Sequence, residues 1–319
     1  MGINVAPLAA ARTGVGRYIA GLLQALPAVE GIHARPLFSP GAPARGLRAA
    51  VKRLPFAYAL ADAARAAVLL RERPTVYHET NHAAPFFAGP VVLTVHDLST
   101  VLHPETQEPA RARHFARALR SRARDAARVI VPTAAIGREV VAHLSVPVER
   151  VRAIHHGVDA RVSPAARERE GFVLYAGDAG PRKGLGTLRA ALPAGVALRL
   201  VGPGHGYVDD EELVRLYRSA AVLVLPSLYE GFGFPLVEAM ACGTPCIASD
   251  DPALVEVSGG AALHFPRGDA EALRAQLERV LGDAALRAEL SRKGLLRAAA
   301  FRWDECARRH AEAYREAAG

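Results

Sequence analysis

The sequence of 319 residues contains no run of eighteen apolar residues, so it predicts no membrane-spanning helix. The N-terminal stretch 1–5 lacks the basic and apolar regions of a secretory signal peptide, and we therefore expect a cytoplasmic protein. There are only three cysteines, Cys242, Cys246 and Cys306, and they lack the second pair or the histidines of a structural zinc site. We expect ordinary reduced thiols.

Acidic residues are scarce in the first half of the chain. Residues 1–165 carry 21 basic and 11 acidic side chains, a net charge of +10, whereas the remainder carries 19 basic and 21 acidic ones. The first half is therefore expected to face an anionic partner, for which nucleic acid, a phospholipid surface and a phosphorylated acceptor all qualify. A compositional bias that only solvates the surface explains the excess equally well.

Short apolar runs alternate with amphipathic helical stretches along the whole chain, a pattern typical of parallel α/β layers. The length allows two hydrophobic cores, and the polar stretch 159–170 favours a boundary there. We predict two Rossmann-like domains, 1–165 and 166–300, with a C-terminal helical segment over 301–319. The predicted strands are 2–7, 76–78, 91–95, 129–132, 172–176, 197–201, 222–225, 245–248 and 262–265.

The segment 226–240, Pro-Ser-Leu-Tyr-Glu-Gly-Phe-Gly-Phe-Pro-Leu-Val-Glu-Ala-Met, joins a predicted strand to a helix. Pro235 suits the first turn of a helix, where its missing N–H would be unpaired anyway. In open α/β sheets ligands bind at this end of a strand, and Gly233 lets the backbone approach an anion. Glu230 and Glu238 bracket the turn. Carboxylates accept hydrogen bonds well, so the two residues suit the hydroxyls of a sugar and a ribose. Taken singly, each glutamate is explained by solvent exposure or by the helix dipole.

Together with Cys-Gly-Thr-Pro at 242–245, this segment resembles the characteristic sequence of the retaining family 4 glycosyltransferases. The resemblance implies a GT-B fold, in which two Rossmann-like domains face each other across a cleft and the C-terminal domain binds a nucleotide-sugar donor. It implies that Glu230 contacts hydroxyls of the donor sugar and that Glu238 contacts the ribose. The backbone groups that it assigns to the sugar and diphosphate are those of Gly233, Phe234 and Pro235. The segment 301–319 resembles the closing segment of GT-B proteins, which returns to the first domain.

A second candidate phosphate-binding element, Gly-Asp-Ala-Gly-Pro-Arg-Lys-Gly at 177–184, follows another predicted strand. Arg182 and Lys183 are placed to neutralise a departing nucleoside diphosphate, so no metal is required. The alternative for such a basic pair is a solvated turn. The element resembles the family's phosphate-binding loop, which also places Gly177 at the donor, in a form found in bacterial mannosyl- and rhamnosyltransferase-like members. Many members have arginine where this chain has Asp178.

Three further positions carry weaker signals. His96 follows a predicted strand, where a lone histidine is often structural, and the resemblance implies that it positions the donor sugar. Gly14 and Gly16 open the first helix and match the family's loop beneath the donor phosphates, although a tight turn with a helix cap explains them equally well. Val208 is assigned to the donor site. The segment 204–207 before it is shorter than is usual in the family, so the sequence does not indicate which nucleotide base the donor carries.

The resemblance implies a retaining, metal-independent transferase that moves a hexose from a GDP-mannose-like or UDP-sugar donor to a saccharide or lipid-linked saccharide, in cell-surface glycan synthesis. No cofactor is expected, and the lack of an Asp-x-Asp triplet agrees with metal independence. One alternative is a catalytically silent GT-B scaffold. Another is a nucleic-acid-binding protein that uses the arginine-rich stretch 111–128, but this stretch has no recognisable reading motif, and we expect no nucleic-acid partner. Basic and apolar residues interleave over 46–70, which indicates either peripheral contact with an anionic membrane or an ordinary Rossmann helix.

Overall fold

The computed structural model describes residues 1–10, 13–38, 57–81, 84–165 and 169–319, which form two compact units. The first unit comprises Met1–Pro132, Ile136–Gly157 and Trp303–Gly319, and the second comprises Thr133–Ala135 and Val158–Arg302. Each unit is built around one parallel sheet, which confirms the predicted α/β fold class. The chain leaves the first unit after Gly157 and returns to it at Trp303, whereas the predicted domain borders are at 165 and 300.

The first sheet has six strands in the order β2-β1-β3-β4-β5-β6, and all of its pairs are parallel. Its strands are β1 (Gly2–Asn4), β2 (Arg35–Leu37), β3 (Tyr77–Glu79), β4 (Val91–Thr94), β5 (Arg128–Val131) and β6 (Val151–Ala153). The sequence does not predict the edge strands β2 and β6, because Arg-Pro-Leu and Val-Arg-Ala show no apolar alternation. β1 is shorter than predicted, since the 3-10 turn Ala6–Ala10 follows it.

Helices accompany this sheet. They are α1 (Gly14–Ala25), Ala57–Glu72, Ser99–Leu102, Pro109–Asp125, Ala134–Leu144 and Trp303–Ala318. The predicted basic and apolar stretch 46–70 lies partly outside the described residues, and its described part belongs to the helix Ala57–Glu72. In the part of the chain that the structure covers, no helix combines the length and the apolar character needed to cross a bilayer.

A buried polar cluster holds the C-terminal helix Trp303–Ala318 in the first unit. His310 Nε2 lies 2.8 Å from the hydroxyl of Tyr18, and the hydroxyl of Tyr314 lies 2.8 Å from His78 Nδ1. Burial lowers the pKa of His310 to about 4 and that of His78 well below its ordinary value. Both imidazoles are therefore neutral at pH 7, so the cluster buries no charge on these rings.

The second sheet has five parallel strands in the order β11-β10-β9-β7-β8. They are β7 (Glu170–Ala176), β8 (Ala197–Val201), β9 (Ala220–Leu225), β10 (Cys246–Ser249) and β11 (Leu263–Phe265). The helices are Leu185–Ala191, Asp210–Ser219, Phe234–Ala241, Pro252–Ser258, Ala270–Gly282 and Ala284–Ala298. All six residues of β9 are buried, as a strand covered on both faces requires. Because β7 and β9 are parallel neighbours, the loops that follow them meet at the same edge of the sheet.

Candidate active site

Two loops contact each other at the carboxyl edge of the second sheet. Residues 177–184 follow β7, and residues 226–233 connect β9 to the helix Phe234–Ala241. The amide of Leu228 donates to the carbonyl of Arg182 at 2.8 Å. Gly184 has a φ of +66°, and a Cβ there would lie 2.0 Å from the carbonyl oxygen of Pro226. The close approach of the two loops therefore requires glycine at this position.

Glu230 belongs to the loop 226–233, and its largely buried side chain contacts the loop 177–184. Its Oε1 accepts hydrogen bonds from Lys183 Nζ at 2.6 Å and from Ser227 Oγ at 2.7 Å. Among the described residues no donor reaches Oε2, which leaves this oxygen able to accept from a ligand hydroxyl. Arg182 Nη1 donates to the carbonyl of Tyr229 at 2.8 Å. The fold thus brings together the predicted basic pair and the first predicted glutamate.

Two backbone amides in the first part of the loop 177–184 already donate hydrogen bonds within the protein. The amide of Gly177 donates to the carbonyl of Val201 at 2.9 Å, and the amide of Gly180 donates to Asp178 Oδ1 at 2.7 Å. Neither amide is available to a phosphate in this conformation. Asp178, which stands where many family members have arginine, closes a local turn, and the positive charge of the loop comes from the basic pair that follows.

Glu238 lies in the helix Phe234–Ala241 and is buried. Its Oε2 accepts a hydrogen bond of 2.8 Å from the hydroxyl of Tyr217, a residue of the helix Asp210–Ser219. A carboxylate fixed in this way is oriented before any ligand binds, because its partner is itself buried. Tyr217 is a partner that the sequence does not indicate, since it lies 21 residues from Glu238.

The helix that carries Glu238 begins as the sequence predicts. Gly233 precedes it with a φ of +85°, and a Cβ there would lie 2.5 Å from Leu254 Cδ2. Pro235 occupies the first turn. The ring of Phe234 packs edge to face against that of Phe232, with centroids 5.2 Å apart. The glycine is thus required by both its backbone conformation and the available space, and the contacts of these residues with a donor stay a prediction.

Ser227 and Asp251 are neighbours of Glu230 that the sequence does not predict. Asp251 is 1% exposed, and its Oδ2 accepts a hydrogen bond of 3.3 Å from the amide of Glu230. Burial and the nearby Glu230 carboxylate raise the pKa of Asp251 to about 6. The only local signal is Asp251 before Pro252, which indicates a helix cap and says nothing about a distant loop.

Three of the predicted site residues lie in the first unit. His96 follows β4, and its Nε2 lies 2.9 Å from the carbonyl oxygen of Thr80. Gly14 and Gly16 lie in the first turn of α1, where the side chain of Thr13 caps the helix by accepting from the Gly16 amide at 3.1 Å. These contacts are those of a structural histidine and a helix cap, and the role of all three residues toward a donor stays a prediction.

Val208 follows a short turn after β8, in which Gly202 and Gly206 form an antiparallel bridge. The turn lies against the loop 177–184, since a Cβ on Gly202 would be 2.3 Å from the carbonyl oxygen of Gly177. The side chain of Val208 is half buried and packs on the core of the second sheet. Its assignment to the donor site stays a prediction.

Two family models match the sequence. The model described as Glycosyltransferase Family 4 matches residues 12–162, and the one described as Glycosyl transferases group 1 matches residues 204–297. The chain belongs to the family 4 glycosyltransferases. The GT-B fold of this glycosyltransferase is that of sucrose-phosphate synthase from Thermosynechococcus elongatus, with a TM-score of 0.77 at 21% identity, covering 99% of this chain and 98% of the other.

Two relatives of the glycosyltransferase carry mannosyltransferase names. The O-antigen chain mannosyltransferase B of Escherichia coli is 28% identical over 95% of this chain and 96% of its own. The MMP alpha-(1->4)-mannosyltransferase of Mycolicibacterium hassiacum is 30% identical over 72% of this chain and 66% of its own. These similarities confirm the family that the segments 226–245 and 177–184 indicate.

Proposed function

We propose that this glycosyltransferase moves mannose from GDP-mannose to a saccharide or lipid-linked saccharide, with retention of anomeric configuration and without a metal. The hydrogen bonds of the Glu230 carboxylate carry the proposal. Lys183 and Ser227 fix its Oε1, while Oε2 has no donor among the described residues. A fixed carboxylate with one open acceptor site suits the paired hydroxyls of a hexose. The mannosyltransferase names of the two relatives support mannose as the sugar.

In the proposed reaction the bond between the anomeric carbon and the diphosphate breaks, and the acceptor oxygen bonds to the same face of that carbon. The acceptor proton passes to the departing phosphate oxygen. Negative charge develops on the diphosphate as the bond breaks, and Arg182 and Lys183 stabilise it from the loop 177–184. Side-chain cations held in place by protein contacts act at the moment of bond cleavage without reorganisation, which supports a reaction that needs no metal.

Thermal unfolding in the presence of nucleotides tests this function. A ligand that binds only the native state raises the melting temperature, so GDP, UDP, ADP, GDP-mannose, UDP-glucose and ADP-glucose are compared with and without EDTA. We expect GDP and GDP-mannose to give the largest shifts and EDTA to change neither. The anomeric configuration of the product, measured by NMR, tests retention. A protein that responds to none of these ligands would be a catalytically silent scaffold.

A Tyr217→Phe variant tests the proposed contact between Glu238 and the ribose. Removing the hydroxyl that orients Glu238 Oε2 is expected to weaken GDP binding about three- to tenfold, which corresponds to roughly 0.7 to 1.4 kcal/mol, the contribution of a typical hydrogen bond. Isothermal titration calorimetry measures the affinity. Tyr314→Phe is the matched control, because it removes a buried hydroxyl that bonds to His78 in the first unit. Equal GDP affinities in the two variants would contradict the ribose contact.

Peripheral contact with an anionic membrane is part of the proposal, and the helix Pro109–Asp125 supports it. Four arginines repeat at helical spacing along one exposed face of this helix. We call this face the arginine stripe, and its members are Arg113, Arg117, Arg120 and Arg124. A different face of the helix buries Ala112, Leu119 and Ala123. A row of exposed cations matches the headgroups of an anionic bilayer, where each contributes about 1 kcal/mol of attraction.

Replacing all four stripe arginines by glutamine is expected to lower the fraction bound to vesicles more than about tenfold. The measurement is sedimentation at low salt with vesicles of phosphatidylglycerol and phosphatidylcholine. The control variant makes the same charge change on exposed helical residues of the second unit. These residues are Arg189, Arg279, Arg292 and Lys293. If both variants bind equally, or if the wild type stays in the supernatant, the stripe does not contact membranes.

A further inference from the structure

Asp251 connects the edge of the second sheet to the loop that carries Glu230. It lies between β10 and the helix Pro252–Ser258, and its Oδ1 caps that helix by accepting from the amides of Ala253 at 3.0 Å and Leu254 at 3.2 Å. Its Oδ2 accepts from the amide of Glu230 at 3.3 Å. One buried carboxylate therefore ties the main chain at Glu230 to the start of a helix that is packed into the core.

The charge of Asp251 has no neutralising side chain among the described residues. Glu230 is the ionisable side chain that acts on the pKa of Asp251, and the carboxylate of Glu230 is itself paired with Lys183. The adjacent Asp250 is paired with the exposed Arg267. Asp251 thus relies on three backbone amides for stabilisation of its ionised form, in a buried position near the carboxylate of Glu230.

We propose that Asp251 is a positioning residue for the donor sugar: its ionised carboxylate holds the main chain of Glu230 so that Glu230 Oε2 faces the sugar hydroxyls. This inference rests on the proposed function, because it assumes that Glu230 contacts the sugar. Three groups from different parts of the chain then fix one glutamate. Lys183 and Ser227 hold its Oε1, and Asp251 holds its backbone.

The inference makes sugar recognition depend on pH. Burial, with a smaller contribution from Glu230, raises the pKa of Asp251 to about 6, so the carboxylate is ionised above this pH and protonated below it. Protonation removes the negative charge that accepts the Glu230 amide and weakens the hold on that loop. Affinity for the nucleotide sugar is therefore expected to rise as pH increases through about 6. Binding of the nucleotide part, measured with GDP, is expected not to depend on the contact between Asp251 and the Glu230 amide.

The experiment measures binding of GDP-mannose and GDP to the wild type and to Asp251→Asn between pH 5 and 8 by calorimetry. The asparagine keeps an oxygen for the helix cap but has no charge for the Glu230 amide. At pH 8 we expect GDP-mannose to bind about tenfold more weakly to the variant and GDP to bind equally. The rise in GDP-mannose affinity through pH 6 should be present in the wild type and absent in the variant. Asp269→Asn is the matched control, since Asp269 caps an exposed helix start.

The outcomes separate this inference from the proposed function. If GDP does not bind the wild type, the same comparison is made with UDP and UDP-glucose, or with ADP and ADP-glucose, whichever pair binds. If no pair binds, the proposed function fails and the inference fails with it. If the wild type binds the nucleotide sugar but its affinity for it does not change through pH 6, the positioning role of Asp251 is wrong. This result does not require the variant to fold. Equal losses for GDP and GDP-mannose would show that Asp251 only supports the fold.

Discussion

A Lys183→Met variant is expected to lose roughly 100- to 1,000-fold in kcat, the loss seen when one fixed donor to developing charge is removed. The amine of Lys183 lies 2.6 Å from Glu230 Oε1 and is itself largely buried, so solvent and salt screen its charge little. We propose that it stabilises the departing diphosphate while it holds the glutamate. Methionine preserves the length and apolar character of the side chain and removes only the charge and its donors. Release of GDP at saturating GDP-mannose measures the effect.

Lys293→Met is the control for this variant. Lys293 is half exposed in the helix Ala284–Ala298 and pairs with Glu289 one turn away, an interaction of small energy at a surface. Its replacement is expected to leave kcat unchanged. If Lys183→Met retains the wild-type kcat and only lowers the melting temperature, Lys183 is a structural partner of a buried carboxylate and has no role in the departure of the diphosphate.

A Gly184→Ala variant is expected to destabilise the protein by roughly 2 to 5 kcal/mol and to weaken donor binding. The positive φ of Gly184 costs an alanine about 1 to 2 kcal/mol, and forcing a methyl group into a packed site costs roughly 1 to 3 kcal/mol more. The new Cβ would lie 2.0 Å from the Pro226 carbonyl, so the two loops must separate. Separation stretches the bond between the Leu228 amide and the Arg182 carbonyl. Urea denaturation measures the free energy of unfolding.

Gly186→Ala is the matched substitution two residues later. Gly186 is exposed in the helix Leu185–Ala191, and a Cβ there meets no atom within 4 Å. Because alanine favours a helix over glycine, this variant is expected to gain about 0.5 to 1 kcal/mol. The opposite signs of the two changes distinguish a specific clash from general intolerance of the region. Equal stabilities in the two variants would mean that the loops are free to separate.

Several parts of the fold follow from local sequence. The apolar runs of β7, β9 and β10 are recognisable because parallel strands buried on both faces need continuous apolar side chains. The sequence Asp-Asp-Glu-Glu at 209–212 predicts a capping box, in which Asp209 accepts from a first-turn amide and Glu212 returns to the Asp209 backbone. The helix start at Asp209 is predicted correctly, since its Oδ1 accepts from the amide of Glu212. The second half of that predicted capping box is wrong. The Glu212 side chain pairs with Arg215 instead of returning to the Asp209 backbone, because a guanidinium one turn away is a stronger partner than an amide.

Local sequence is sufficient to predict the central strands with their helices, the strand-turn-helix around Gly233, and the chemical types at the candidate site, including Glu230 and the basic pair at 182–183, but not the edge strands β2 and β6. These features depend on side-chain periodicity and turn chemistry within a few residues. The contact of Lys183 with Glu230, 47 residues away, and the hold of the buried Asp251 carboxylate on the backbone there become visible only in the folded chain. The reason is the strand order: β7 pairs with β9 and β9 with β10, so three loops distant in sequence meet at one edge.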